Sequence, residues 1–259
     1  MTTAFYTRID DSTFESSPLT SGPWGPHSQH AGPPSALLAR AFETFEPRAD
    51  ARLARVHVDI LGPVPIAPLT ITVEPVRPGR SIELLQAVVS AGGKDVLLGR
   101  AWRMTRAPEE MPEIDAPGDG QEVPDAVDFV MPEMYQDGYL SAVDWRYSRG
   151  GYGESGLVTA WLRPRIPLVD GEELSGWQRA LVVADSASGV SMPVDPKRTP
   201  AINTDLSVAL TREPRSEWIR LDAQTTIVPG GGAHTAARIG DEYGPIGHGS
   251  QAMFSRVLS

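Results

Sequence analysis

Apolar residues recur along this chain with two different periods. In "PPSALLARAFETFE", Leu37, Leu38, Ala41, Phe42 and Phe45 fall at helical spacing behind a Gly-Pro start, which predicts an amphipathic helix over 33–46. The segments "ARVHVDIL", "LTITVEPVR", "SIELLQAVVSA" and "VLLGRAWRMT" follow, each short, β-branched and bounded by Gly or Pro, and each reads as a strand. The second half repeats the order. "DWRYSRG" and "LVTAWLRPRI" predict strands, "EELSGWQRALVVADSASG" a helix over 172–189, and "TDLSVALTRE", "EWIRLDAQTTIV", "AHTAARIGD" and "GSQAMFSRVL" four more strands.

Glycines support a repeat. Gly79 and Gly230 follow matching turns at an offset of 151 residues, and Gly99 and Gly249 enter the last strands of their halves at an offset of 150. Between the halves, residues 107–137 are rich in Pro, Asp and Glu with little apolar periodicity, as a connector would be. The expected organisation is a unit over 1–106, a connector over 107–137 and a second unit over 138–259. One amphipathic helix followed by a long antiparallel sheet, twice over, buries each helix against the concave side of its sheet. This is an α+β arrangement, a tandem (double) hotdog.

Composition narrows the function. The 259 residues are 41% hydrophobic, enough for a substantial core. The 23 basic residues against 33 acidic ones leave a net charge of −10, and no Lys/Arg run lines any segment, so nucleic acid is not an expected partner. No cysteine means no disulfide, thiolate nucleophile or Cys-based metal site. The five histidines lack metal-site spacing, so no metal and no cofactor are expected. Neither a leader-like segment nor a stretch of about 20 apolar residues is present, which points to a cytoplasmic protein without membrane insertion.

The stretches "GPWGPHSQHAGPPSALLARA", "NTDLSVALTRE", "WIRLDAQTT" and "GHGSQAMFSR" resemble the type II acyl-CoA thioesterases, double-hotdog enzymes, and especially their actinobacterial thioesterase-like branch. The resemblance implies hydrolysis of an acyl-CoA substrate by water held between an Asp, a hydroxyl and a Gln of the second half. Carried across by motif, these fall on Asp205, on Thr226 with Thr225 as a one-residue register alternative, and on Gln251. Only one of the two threonines can share a face with the others. Relatives often carry His-Gly-Gly before the first helix, where this chain has His30-Ala31-Gly32.

The chemistry of the residues agrees with that assignment. Ser250 in "GHGSQ" lacks the second glycine of a nucleophile elbow, so a carboxylate base acting on water is the better route. Pro33 and Pro34 have no N–H, which limits oxyanion donors at the helix start to the backbone near Ala31, Gly32 and Ser35, with His30 orienting that loop. At the 150-residue offset Gln251 corresponds to Ala101, so one composite site is expected and its mirror copy is degenerate. The competing function is a non-catalytic acyl-thioester binding protein on the same fold. A hydratase would need Asp and His on one loop, whereas His57 and Asp59 lie in a strand-like segment. An open sheet edge would favour a homodimer or higher homo-oligomer.

Overall fold

A computed structural model describes residues 3–257 except 24, 113, 115–119, 126–136, 152, 196 and 197. Most of the acidic connector lies outside the described residues. In chain order the elements are β1 (Tyr6–Arg8), β2 (Thr13–Ser16), α1 (Gly32–Thr44), β3 (Ala51–Ile60), β4 (Leu69–Arg77), β5 (Ile82–Ala91) and β6 (Lys94–Thr105). The second half contributes β7 (Val143–Arg149), β8 (Val158–Pro164), α2 (Gly176–Ala184), α3 (Ala187–Val190), β9 (Ala201–Asn203), β10 (Asp205–Leu210), β11 (Ile219–Ile227), β12 (Ala233–Asp241) and β13 (Gly244–Ser255).

All the strands form one sheet in the order β1-β2-β4-β5-β6-β3-β10-β13-β12-β11-β8-β7, with β9 added on β13. The two halves meet where β3 pairs antiparallel with β10, His57 opposite Ser207. Around that seam the register repeats at a constant 150 residues. His57↔Arg100 and Val58↔Gly99 in the first half match Ser207↔Ser250 and Val208↔Gly249 in the second. Further out, Leu85↔Ala101 matches Thr235↔Gln251, and Pro75↔Leu85 matches Thr225↔Thr235. The repeat is therefore a pseudo-twofold of the hydrogen-bond ladder, and it ties each inward-facing residue to its counterpart.

Both helices lie on the concave face. Leu37, Leu38 and Phe42 of α1 and Leu181 and Val183 of α2 are fully buried, each contributing roughly 1.5–3 kcal/mol of apolar burial. The helices run antiparallel, the start of α1 against the end of α2. Gly32 permits that contact, because a Cβ there would stand 2.1 Å from the Val182 carbonyl oxygen. At the other end Arg40 pairs with Glu172 at 2.6 Å, and the Glu43 carboxylate accepts from Ser175 Oγ at 2.8 Å and Gln178 Nε2 at 2.9 Å.

Four elements depart from the sequence reading. The N-terminal strands β1 and β2 and the short β9 were not expected, being too brief to show periodicity. The second helix is broken rather than continuous over 172–189: α2 stops at Ala184, Asp185 is its C-cap, and α3 resumes at Ala187. One sheet edge is also covered, since Tyr6 of β1 bonds the 168–170 segment on its free side, Tyr6 N to Leu168 O at 2.9 Å. Among the described residues no helix is long and apolar enough to cross a membrane.

Candidate active site

The break after α2 projects Asp185 into the seam between the helices. Its carboxylate is buried, and Oδ1 accepts from Asn203 Nδ2 at 2.7 Å and Gln251 Nε2 at 3.1 Å. Gln251, 1% exposed, also donates to the Asp185 carbonyl at 3.1 Å and accepts from Ser188 N at 3.1 Å. The other carboxylate oxygen, Oδ2, lies 3.2 Å from His30 Nδ1. Among the described residues neutral amides and an imidazole surround this carboxylate, so its lone pairs are oriented without a lysine or arginine locking it into an ion pair.

His30 precedes α1 and is also held by the fold. Its Nδ1 is 3.1 Å from Gly32 N as well as 3.2 Å from Asp185 Oδ2. One ring nitrogen carries either a proton or a lone pair, so His30 serves Asp185 or Gly32 at any instant, not both. When it donates to Asp185, the Gly32 N–H is released at a helix N-terminus, where partial positive charge favours an anion. Burial depresses the His30 pKa below its ordinary value, and the charge of Asp185 opposes that only in part. Ser35 N already donates to Ala31 O at 3.0 Å, which leaves Ala31 and Gly32 as the first-turn donors. Ala31 sits at φ −71°, ψ −12°, ordinary helical backbone that needs no glycine.

The sheet supplies a polar row opposite the helices. Gln251, Thr235 and Thr225 are laterally paired on β13, β12 and β11, and all three point inward. Thr225 Oγ1 lies 2.7 Å from Thr235 Oγ1 and 2.8 Å from Ser191 Oγ, and Thr235 donates to Met253 Sδ at 3.1 Å. Thr226 pairs with His234 on the outer face. Of the two threonines Thr225 is the one that shares the inward face with Gln251, because inward positions on β11 alternate as Leu221, Ala223 and Thr225. Strands lie about 4.8 Å apart, so Thr235 stands between Thr225 and Gln251, and sequence reasoning missed it.

Asp205 does not join this group. Leu206 and Val208 take the inward positions of β10, which turns Asp205 to the outer face. There Oδ1 accepts from Ala252 N at 2.6 Å, and Oδ2 lies 4.0 Å from His57 Nδ1, whose Nε2 is 3.2 Å from Asp59. The carboxylate fills the ladder between β9 and β10, where β13 would otherwise lack an acceptor. Its place beside Gln251 is taken by Asp185. The sequence did hold a signal for that residue: an aspartate ends an apolar helix, where the macrodipole disfavours negative charge.

The pseudo-twofold relates this row to a different one in the first half. Thr225, Thr235 and Gln251 correspond to Pro75, Leu85 and Ala101, none of which offers a side-chain hydrogen bond. The next row reverses polarity. Ala233 and Met253, in an apolar cluster with Met192, Ala201, Val194 and Ile227, correspond to Glu83 and Arg103. Arg103 is paired with Glu83 and donates to Phe45 O at 2.6 Å and Glu46 O at 3.1 Å, which closes the end of α1. The two halves share a frame, but the polar cluster with a neighbouring apolar row occurs in one.

The chain matches known proteins along most of its length. The family model for the acyl-CoA thioesterase N-terminal domain matches residues 20–104, and that for the C-terminal domain matches residues 108–255. No curated protein is detectably similar in sequence. Among solved structures, a hot dog fold protein of unknown function from Alicyclobacillus acidocaldarius superposes with a TM-score of 0.77 at 15% identity, covering 99% of this chain and 98% of that one. A putative thioesterase II from Thermobifida fusca gives 0.71 at 17% identity with 99% and 96% covered. An acyl-CoA thioesterase II from Mycobacterium marinum gives 0.66 at 18% identity with 98% and 95% covered. These likenesses establish the double hotdog fold, and with both domain matches spanning the two halves, the chain belongs to the acyl-CoA thioesterase family.

Proposed function

We propose that the protein hydrolyses an acyl-CoA thioester with water as the nucleophile and Asp185 as the general base. The observation that carries this reading is the buried Asp185 carboxylate, fixed by Asn203 and Gln251 and facing the N-terminus of α1. Asp185 takes a proton from water as the oxygen attacks the thioester carbonyl carbon. The charge that develops on the carbonyl oxygen is met by the N–H groups of Ala31 and Gly32, at the positive end of the helix dipole. Collapse of the tetrahedral intermediate breaks the C–S bond, and the proton held by Asp185 passes to the departing CoA thiolate. Gln251 orients the base and the water without titrating, and the Thr225–Thr235 pair bounds the polar floor.

The acyl tail would lie on the apolar row beside that floor, over Ala233, Met253 and Ile227 and under Met192 and Val194. Methionine side chains adapt to chains of different shape. The test is release of free CoA thiol from acyl-CoAs of graded chain length by the purified protein. Turnover supports hydrolysis. Tight acyl-CoA binding without thiol release would instead make this an acyl-thioester binding protein on the same fold.

A further inference from the structure

Tyr139 enters none of the steps above, yet it touches two of the groups that make them work. In a continuing α-helix the Val182 carbonyl would accept from Ser186 N. Here Ser186 N turns to Val183 O at 3.0 Å, and the Val182 oxygen accepts from the Tyr139 hydroxyl at 2.8 Å. The same hydroxyl is 2.8 Å from Ser186 Oγ. Tyr139 therefore occupies the acceptor that would carry α2 through Asp185, and it holds the residue that follows Asp185.

The ring has a second contact. It lies flat against the His30 imidazole, centroids 3.7 Å apart and planes 9° from parallel. Both rings hang from consecutive carbonyls of one turn, His30 N on Thr20 O at 2.8 Å and Tyr139 N on Ser21 O at 3.0 Å. Gly138, at φ +67°, brings the chain in so tightly that a Cβ would meet Ser21 Oγ. Trp145 meets the Tyr139 ring edge-on at 6.2 Å. This is a built contact, with Tyr139 fully buried and the His30 side chain 12% exposed, and it is supplied by the segment that leads out of the connector.

We propose that Tyr139 is a positioning residue of this site: its hydroxyl ends α2 so that Asp185 faces the substrate, and its ring seals His30 so that the imidazole meets Asp185 uncharged. Among the described residues the titratable groups facing His30 are Asp185, from the end of α2, and Tyr139 itself. Burial raises the Tyr139 phenol far above its ordinary range, so it acts as a hydrogen-bond donor and not as an acid or base. Were His30 to become charged, an imidazolium 3.2 Å from Asp185 would weaken that carboxylate as a base. The functional consequence rests on the assignment of Asp185. The seal on His30 does not.

The test uses the full chain as wild type, Tyr139→Phe and Tyr139→Leu, with two readouts: the NMR titration of the His30 ring, and kcat and KM for an acyl-CoA across pH. Tyr139→Phe keeps the stack and frees the Val182 carbonyl, so His30 titrates as in wild type while kcat falls about tenfold with KM little changed. Tyr139→Leu lets water reach the ring, so the His30 midpoint rises towards that of free imidazole and the acid limb of kcat/KM moves up with it. A folded Tyr139→Leu protein with an unmoved His30 midpoint overturns the seal, and a Tyr139→Phe protein with full kcat overturns the positioning. If Tyr139→Leu does not fold, charging of His30 in Tyr139→Phe at the ordinary imidazole pH overturns the seal, and retention of the wild-type midpoint supports it. If wild type hydrolyses no acyl-CoA, the thioesterase reading fails while the His30 titration still decides the seal.

Discussion

Gly32→Ala is the smallest change that addresses how the two halves build one site. The added Cβ would stand 2.1 Å from Val182 O and 3.1 Å from Val182 C, both backbone atoms that cannot swing aside. Relieving the contact requires the start of α1 and the end of α2 to part by about 1 Å, and overpacking of this kind costs about 1–3 kcal/mol. The same shift moves the Ala31 and Gly32 donors away from Asp185, and a misplacement of about 1 Å costs on the order of 100-fold in rate. Urea unfolding measures the first effect, and thiol release from an acyl-CoA the second. A Gly32→Ala protein with wild-type stability and wild-type kcat/KM would refute the close helix contact as the basis of the site.

Other expected outcomes separate faces, rows and charges. Thr225→Val removes the hydroxyl that joins Ser191 to Thr235 and should lower kcat/KM about tenfold, whereas Thr226→Val on the outer face should change unfolding free energy by less than about 0.5 kcal/mol and leave kcat/KM intact. Ala233→Leu fills the apolar row next to Gln251, so the optimum acyl length in a chain-length series should shorten while the shortest substrate keeps its rate; an unchanged profile would place the tail elsewhere. Burial raises the Glu43 pKa above the ordinary carboxylate value, so the stability linked to this group is present below pH 4.5 and lost as pH rises through the raised pKa. Glu43→Gln should therefore flatten the change in melting temperature between pH 4 and 7.

The frame was legible because burial on one side of a sheet writes a period of two into the chain, and because Gly99 and Gly249 hold equivalent places in β6 and β13 at the 150-residue offset of the ladder. The helix before β3 and the strands β3 to β6 were all readable in that way, as was the loss of the glutamine at Ala101. The site was legible only in part. Of the residues carried across by motif, Gln251 faces inward beside Asp185, whereas Asp205 faces outward, as the Leu206–Val208 alternation in its own stretch already required. Asp185 stood inside a segment that reads as continuous helix, its negative charge at the helix end the one local sign of it, because the Val182 carbonyl that would carry the helix on is taken by the Tyr139 hydroxyl, 43 residues from Val182 in sequence. Thr235 joins the polar row only through its pairing with Gln251. Long-range register and tertiary capping leave no local pattern.

The most direct measurement compares Asp185→Asn with Asp205→Asn in the same thiol-release assay. Both substitutions keep shape, and an asparagine at 205 can still accept from Ala252 N. Asp185→Asn should lower kcat by about 100- to 10,000-fold, the range of a lost general base, with acyl-CoA binding retained, while Asp205→Asn stays within about tenfold of wild type. Collapse of activity in Asp205→Asn with Asp185→Asn still active would contradict the site as drawn.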